Sequence, residues 1–301
     1  MERMEAAGAA AVANPPKRPR ELEDGLNYYI YHPLAWRLAR LLAHTPLTPN
    51  IVSVIGGCCV VAAGIAYAQP GWPVPALIGM ALHMSWHVVD GADGDLARIT
   101  GRASPFGEMI DGICDYASHV VLYLILGWLL AAQIGWVAWP LMLAGGISHI
   151  IQANHVEVQK RSYQWWVYDK PWMRQTRATA DASGTRKGAF GALVSLYMNV
   201  GSRIAGSTKR VDAAIDRADP AHREVLRAAA RAEAPPLLGI LKILGPNPRA
   251  IVLGLSMLAG TSLWFFIWQV VGLNLLLAWS IRMHEAAAER MAKIGEPFIS
   301  V

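Results

Sequence analysis

Asp90-Gly91-Ala92-Asp93-Gly94-Asp95-Leu96-Ala97-Arg98, and then Gly107-Glu108-Met109-Ile110-Asp111-Gly112-Ile113-Cys114-Asp115, is the stretch that decides how this chain is read. Six acids fall between Asp90 and Asp115, with apolar runs on either side. A carboxylate at the middle of an apolar span is unfavourable by about 2.5–3.5 kcal/mol. Solvation at a helix end explains Asp95 and Glu108 but fits the other four poorly. At about 100° per residue, Asp90, Asp93, Gly94 and Ala97 share one helix face. Asp111 and Asp115 are i and i+4 on the next helix, with Gly107 one turn before them. The short connection makes the two helices antiparallel neighbours, so four carboxylates converge. Divalent cations relieve the repulsion, and oxygen-only ligands select Mg²⁺ or Mn²⁺. Two such ions about 3.5–4 Å apart can clamp a phosphoryl group.

The rest of the chain places these acids in a membrane protein. Of 301 residues, 54% are hydrophobic and only 16% charged, where a soluble domain carries about 25% charged residues. Mean hydropathy is +0.29. The 12 Trp and 27 Gly suit several membrane spans. These figures exclude a soluble single domain and a disordered chain. The fold expected is all-α and polytopic, with six transmembrane helices, each needing about 20 apolar residues. They run from about 50 to 68, 75 to 100, 106 to 131, 134 to 158, 246 to 259 and 263 to 281.

The 27 Lys and Arg are one-sided. Six precede the first span, two end the second (Arg98, Arg102), sixteen lie from Lys160 to Arg249, and three follow the sixth. The loops of opposite sidedness hold none. This is the positive-inside pattern, which puts both termini and the acids on the cytoplasmic side. It accounts for the net charge of +5 without nucleic acid.

Residues 1–26 read as a flexible basic arm that lacks the Leu-rich core of a signal peptide, and 27–301 as one transmembrane domain. After Pro33, the spacing of Leu34, Leu38, Leu41 and Leu42 suits an amphipathic helix lying on the membrane. Trp165, Trp166, Tyr168 and Trp172 read as an aromatic belt. The long cytoplasmic loop at about 160–245 is expected to hold short helices, for instance 190–205 and 220–234. Cys58, Cys59 and Cys114 sit in apolar runs and read as reduced, buried thiols.

Taken together, Asp90-x2-Asp93-Gly94-x2-Ala97-Arg98-x8-Gly107-x3-Asp111-x3-Asp115 resembles the signature of the CDP-alcohol phosphotransferases, membrane enzymes of phospholipid synthesis. Thr48-Pro49-Asn50 before the first span and the six-span layout extend the resemblance. It implies that Asp90, Asp93 and Asp111 ligate one metal, and that Asp90, Asp111 and Asp115 share a second. It implies that Asp93, Gly94, Ala97 and Arg98 hold the cytidine diphosphate of the donor, with Gly107 beside them, and that Asp115 is the general base. It also implies a homodimer.

Two branches of that family fit. One transfers a phosphatidyl group from CDP-diacylglycerol to a polar alcohol. The other transfers a head group from a CDP-alcohol to a lipid hydroxyl. The chain length favours the first; Gly112 after Asp111, where the second usually has His, also departs from that branch. His119, one turn after Asp115, is a candidate acceptor contact. His155, Lys160 and Arg161 form either an acceptor pocket or an ordinary interface. Three other classes fit the residues less well. A Mg²⁺-dependent prenyltransferase has its acidic motifs far apart in sequence. A cation transporter needs acids at mid-span. An inactive relative would retain four repelling acids to no purpose. The Ala- and Arg-rich composition points to a bacterial inner membrane.

Overall fold

The computed structural model describes residues 19–170 and 208–295, and every regular element among them is helical. A π-helical turn, Asn27–Tyr31, leads into α1 (His32–Leu42). Then come α2 (Pro49–Tyr67), α3 (Val74–Ile99), α4 (Pro105–Ile134) and α5 (Ala138–Tyr168). After the interval 171–207 follow α6 (Thr208–Arg217), α7 (Pro220–Ile243), α8 (Pro246–Leu258), α9 (Leu263–Ile267) and α10 (Leu273–Gly295). Helix boundaries follow local chemistry. The Thr48 side chain caps α2 and Ser104 caps α4, each accepting a backbone N–H, with Pro in the first turn of both. At Gly135, φ is +71°, a value that suits glycine and ends α4.

Four helical stretches are long and apolar enough to cross a membrane: Pro49–Tyr67, Phe106–Tyr168, Pro220–Leu258 and Leu263–Ile294. The chain is an integral membrane protein. The expected second span is a helix, α3, but it is not among the four. His83, His87, Asp90, Asp93, Asp95 and Arg98 take up too much of its length. The expected third and fourth spans lie in one stretch, turned at Gly135.

The chain divides into two compact units, Met1–Gly146 with Pro246–Val270, and Ile147–Gly245 with Val271–Val301. In the first, α2 is the central helix and packs closely along both α3 and α4. Gly64 permits the close approach of α4, since a Cβ there would stand 2.9 Å from Ile125 Cδ1 and 3.2 Å from Leu122 Cδ1. Gly56 faces Trp86 and Gly57 faces the carbonyl of Cys114, where a Cβ would make ordinary contacts at 3.5 and 3.4 Å. Tyr67, Trp86, Leu122, Leu126, Leu130, Leu253 and Phe266 belong to the core beside it. Helix α1 presents Ala35 and Ala39 to Ala92 and Leu96 of α3, leaving Leu34 and Leu41 exposed. That division suits a helix packed on protein by one face and on lipid by another.

In the second unit, α10 packs on α6 and α7. The expected 220–234 helix is present and runs on to Ile243, while the 190–205 helix lies outside the described residues. Much of the supposed loop is therefore helix. The aromatic belt is also revised: Trp166 is buried, its Nε1 donating to Asp212 at 2.7 Å, and Trp172 lies outside the described residues. The three cysteines are free as expected, but none is fully buried: Cys58 is exposed, and Cys59 and Cys114 are half-buried.

Candidate active site

The acids project from the C-terminal turns of α3 and the opening turns of α4, in the first unit. Both helices pack most closely on α2, not on each other as the short connection suggested. Side chains bridge the interval between them. One carboxylate oxygen each from Asp90, Asp93 and Asp111 lies within 4.8 Å of the other two. Asp115 is close enough to feel the charges of Asp90 and Asp111, but it stands outside this three-acid group.

The group fits a divalent cation by its chemistry. All its donors are carboxylate oxygens, as hard cations require. The Oδ1 atom of Asp111 is buried without a hydrogen-bond partner. A buried acceptor left unmade is unfavourable by about 1–3 kcal/mol, and a cation would satisfy it.

Neutral donors that sequence reading missed hold two of the acids. Ser53 Oγ, from α2, donates to Asp93 Oδ2 at 2.6 Å. Trp86 Nε1, one turn before Asp90 on α3, donates to Asp115 Oδ1 at 3.0 Å. Both contacts are long-range in sequence, and no local periodicity announces them. One signal was available: Ser53 follows the Thr48-Pro49-Asn50 start of α2 by one turn, on the face of Gly56 and Gly57.

The remaining site candidates divide. Gly94 lies one turn from Arg98, and only the Arg98 guanidinium, at 3.7 Å, would meet a Cβ placed on it. Arg98 pairs with the buried Asp95 while its own side chain stays half exposed. Asp95 is therefore engaged by a cation rather than merely solvated at a helix end. A Cβ on Gly107 would come within 3.3 Å of Ser104 Oγ and 3.5 Å of Asn50 Oδ1, so the start of α4 approaches the start of α2. Ala97 is half-buried on the face of Asp90 and Asp93. His119 Nδ1 donates to the carbonyl oxygen of Asp115 at 2.8 Å.

His155, Lys160 and Arg161 belong to the second unit. There His155 Nε2 shares a hydrogen bond with Ser280 Oγ at 2.9 Å, and Arg161 pairs with Glu157 at 2.6 Å. A second polar set joins Ser148, Asn274 and Gln152 at 2.7–2.8 Å. These contacts explain the polar residues of α5 as ties to α10.

Residues 46–177 match the family model described as CDP-alcohol phosphatidyltransferase. That interval contains α2, α3, α4, α5 and all four acids. The chain is also 32% identical over 99 residues to the archaetidylinositol phosphate synthase of Aeropyrum pernix. The similarity takes in 30% of this chain and 47% of the relative, so the chain spans about half the length of the curated relative it matches.

Proposed function

We propose that this chain, whose residues 46–177 are a CDP-alcohol phosphatidyltransferase domain, transfers a phosphatidyl group from CDP-diacylglycerol to the hydroxyl of a polar alcohol and releases CMP. The observation that carries the reading is the convergence of the Asp90, Asp93 and Asp111 carboxylates on one point. The archaeal relative is named for making archaetidylinositol phosphate, a product with a phosphorylated polyol head group. That supports a polar acceptor over a lipid hydroxyl.

Asp90, Asp93 and Asp111 would hold one Mg²⁺ or Mn²⁺, and Asp90, Asp111 and Asp115 a second. Metal held there would supply positive charge against the donor's diphosphate and against the charge that develops on CMP. Gly94 and Ala97 leave the acidic face of α3 open to the cytidine diphosphate, and Arg98 contributes a cation to it. Asp115 accepts the proton of the acceptor hydroxyl while that oxygen bonds to the donor's distal phosphorus. The bond from that phosphorus to the bridging oxygen breaks, and CMP leaves with the electron pair. Positioning and electrostatics supply most of the rate in such a reaction.

Six spans, an N-terminal interfacial helix, cytoplasmic termini and a homodimer in a bacterial inner membrane complete the reading. The one-sided distribution of Lys and Arg supports the sidedness. His119 is the acceptor contact this reading favours, because it adjoins Asp115. Donor choice tests the branch. Purified protein is offered CDP-diacylglycerol with glycerol 3-phosphate, serine, inositol or inositol 1-phosphate, and separately CDP-choline or CDP-ethanolamine with diacylglycerol. CMP release from the first set alone is expected; release from the second set alone would reverse the donor assignment.

A further inference from the structure

Trp86 differs from the exposed tryptophans of the first unit. Trp72 and Trp136 are 68% and 78% exposed, as side chains at a lipid interface should be. Trp86 is 8% exposed and donates its only hydrogen bond into the acidic site. The indole is wedged from several directions. Gly56 of α2 leaves room for its edge, where a Cβ would stand 3.5 Å away. The His87 ring lies 4.6 Å from it, and the His119 ring meets it edge-on at 4.8 Å. His119 is itself fixed to the carbonyl of Asp115. Indole and imidazole thus brace the side chain and the backbone of one residue, Asp115.

Building on the role proposed above for Asp115, we infer that Trp86 is a positioning residue that aims this carboxylate. An indole N–H donates and cannot accept, and it is uncharged at every working pH. It can therefore fix Oδ1 without taking a proton and without competing with the cations that the other acids attract. A Lys or Arg at position 86 would hold the carboxylate equally well but would place a positive charge where cations must bind. With Oδ1 held, the plane of the carboxylate is fixed, and with it the direction in which Oδ2 faces. Asp93 is treated in the same way by Ser53, another neutral donor. Among the described residues, no neutral side chain donates in this way to Asp90 or Asp111, and these two are left to the cation.

The test separates this role from simple packing. Replacing the Trp86 indole by its benzothiophene isostere removes the N–H and keeps the shape; Trp86→Phe is the companion variant. Both are assayed for CMP release with CDP-dioleoylglycerol and inositol 1-phosphate, for Mn²⁺ affinity, and for thermal stability. Partners outside the ligand shell typically change activity about 10- to 100-fold. The isostere is expected to lose about that much in kcat, with donor KM, Mn²⁺ affinity at the Asp90, Asp93 and Asp111 group and melting temperature close to the parent. A parental kcat, or kcat and Mn²⁺ affinity falling together, would overturn the inference. A second readout needs no activity. In ¹⁵N-Trp-labelled protein, the indole peak lost in Trp86→Phe is expected to shift in Asp115→Ala; an unmoved peak would overturn it. If Asp115→Asn retained parental CMP release while that peak did shift, the contact would stand and the base assignment would fail.

Discussion

Ser53→Ala is a single-atom test of how the acidic group is held. The hydroxyl is buried and donates to Asp93 Oδ2 at 2.6 Å, while also reaching the Pro49 carbonyl at 3.2 Å. A hydrogen bond to a charged group contributes about 1.5–3 kcal/mol. Asp93 itself is 6% exposed, so water cannot readily replace the lost donor. If that contribution serves to hold the carboxylate in its cation-binding orientation, Mn²⁺ affinity falls roughly 10- to 150-fold, since about 1.36 kcal/mol is a factor of ten. The assay is a Mn²⁺ titration followed by electron paramagnetic resonance, on metal-stripped protein in nanodiscs. Ser53→Thr keeps the hydroxyl and should bind close to the parent. A folded Ser53→Ala protein with parental Mn²⁺ affinity would refute the reasoning, because Asp93 would then need no fixing.

Three further outcomes are expected. Asp111→Asn should abolish Mn²⁺-induced stabilisation yet raise the melting temperature of the metal-stripped protein, because it removes one of several repelling carboxylates; thermal unfolding with and without EDTA checks both signs. Gly94→Val should raise donor KM at least tenfold while sparing Mn²⁺ affinity, since outside its chain neighbours the added Cβ meets the Arg98 guanidinium. At the start of α7, the backbone N–H of His222, with its ring and the Ala221 N–H, holds the Asp219 carboxyl below its ordinary range. A depressed folded value means the cap's contribution is present above the ordinary carboxylate pKa and is lost as pH falls through the lower folded one. Amide-exchange protection of residues 221–223, corrected for intrinsic rates, should therefore drop only at that acidic end, and Asp219→Ala should show the low protection at every pH.

The helices of the first unit were legible because their signals are local. Gln69-Pro70-Gly71 ends α2, Ser104-Pro105 starts α4, and an apolar run of the right length lies between such marks. Helical periodicity also brought Asp90, Asp93 and Asp111 toward one point, as the carboxylates lie in the structure. Contacts across distant helices were not legible. Ser53 and Trp86 look like ordinary span residues until α2 is seen packed along both α3 and α4. The short link at residues 100–104 suggested that the acid-bearing helices pack directly on each other, but each of them packs along α2 instead. His155 was read for its chemistry, whereas its partner, Ser280, comes from a helix more than a hundred residues away. Hydropathy alone also misses α3, because the residues that make the site are the ones that lower its apolar character.

In the proposed reaction these acids run a metal-dependent transfer with Asp115 as the base. Its most direct test is CMP release from CDP-diacylglycerol and a panel of polar alcohols, by parent and Asp115→Asn protein, in Mg²⁺, in Mn²⁺ and in EDTA. Release by the parent is expected in either metal and none in EDTA, with a loss of at least a thousandfold in kcat in the variant despite retained Mn²⁺ binding at the Asp90, Asp93 and Asp111 group. Release that survives EDTA, or an Asp115→Asn protein as fast as the parent, would contradict it.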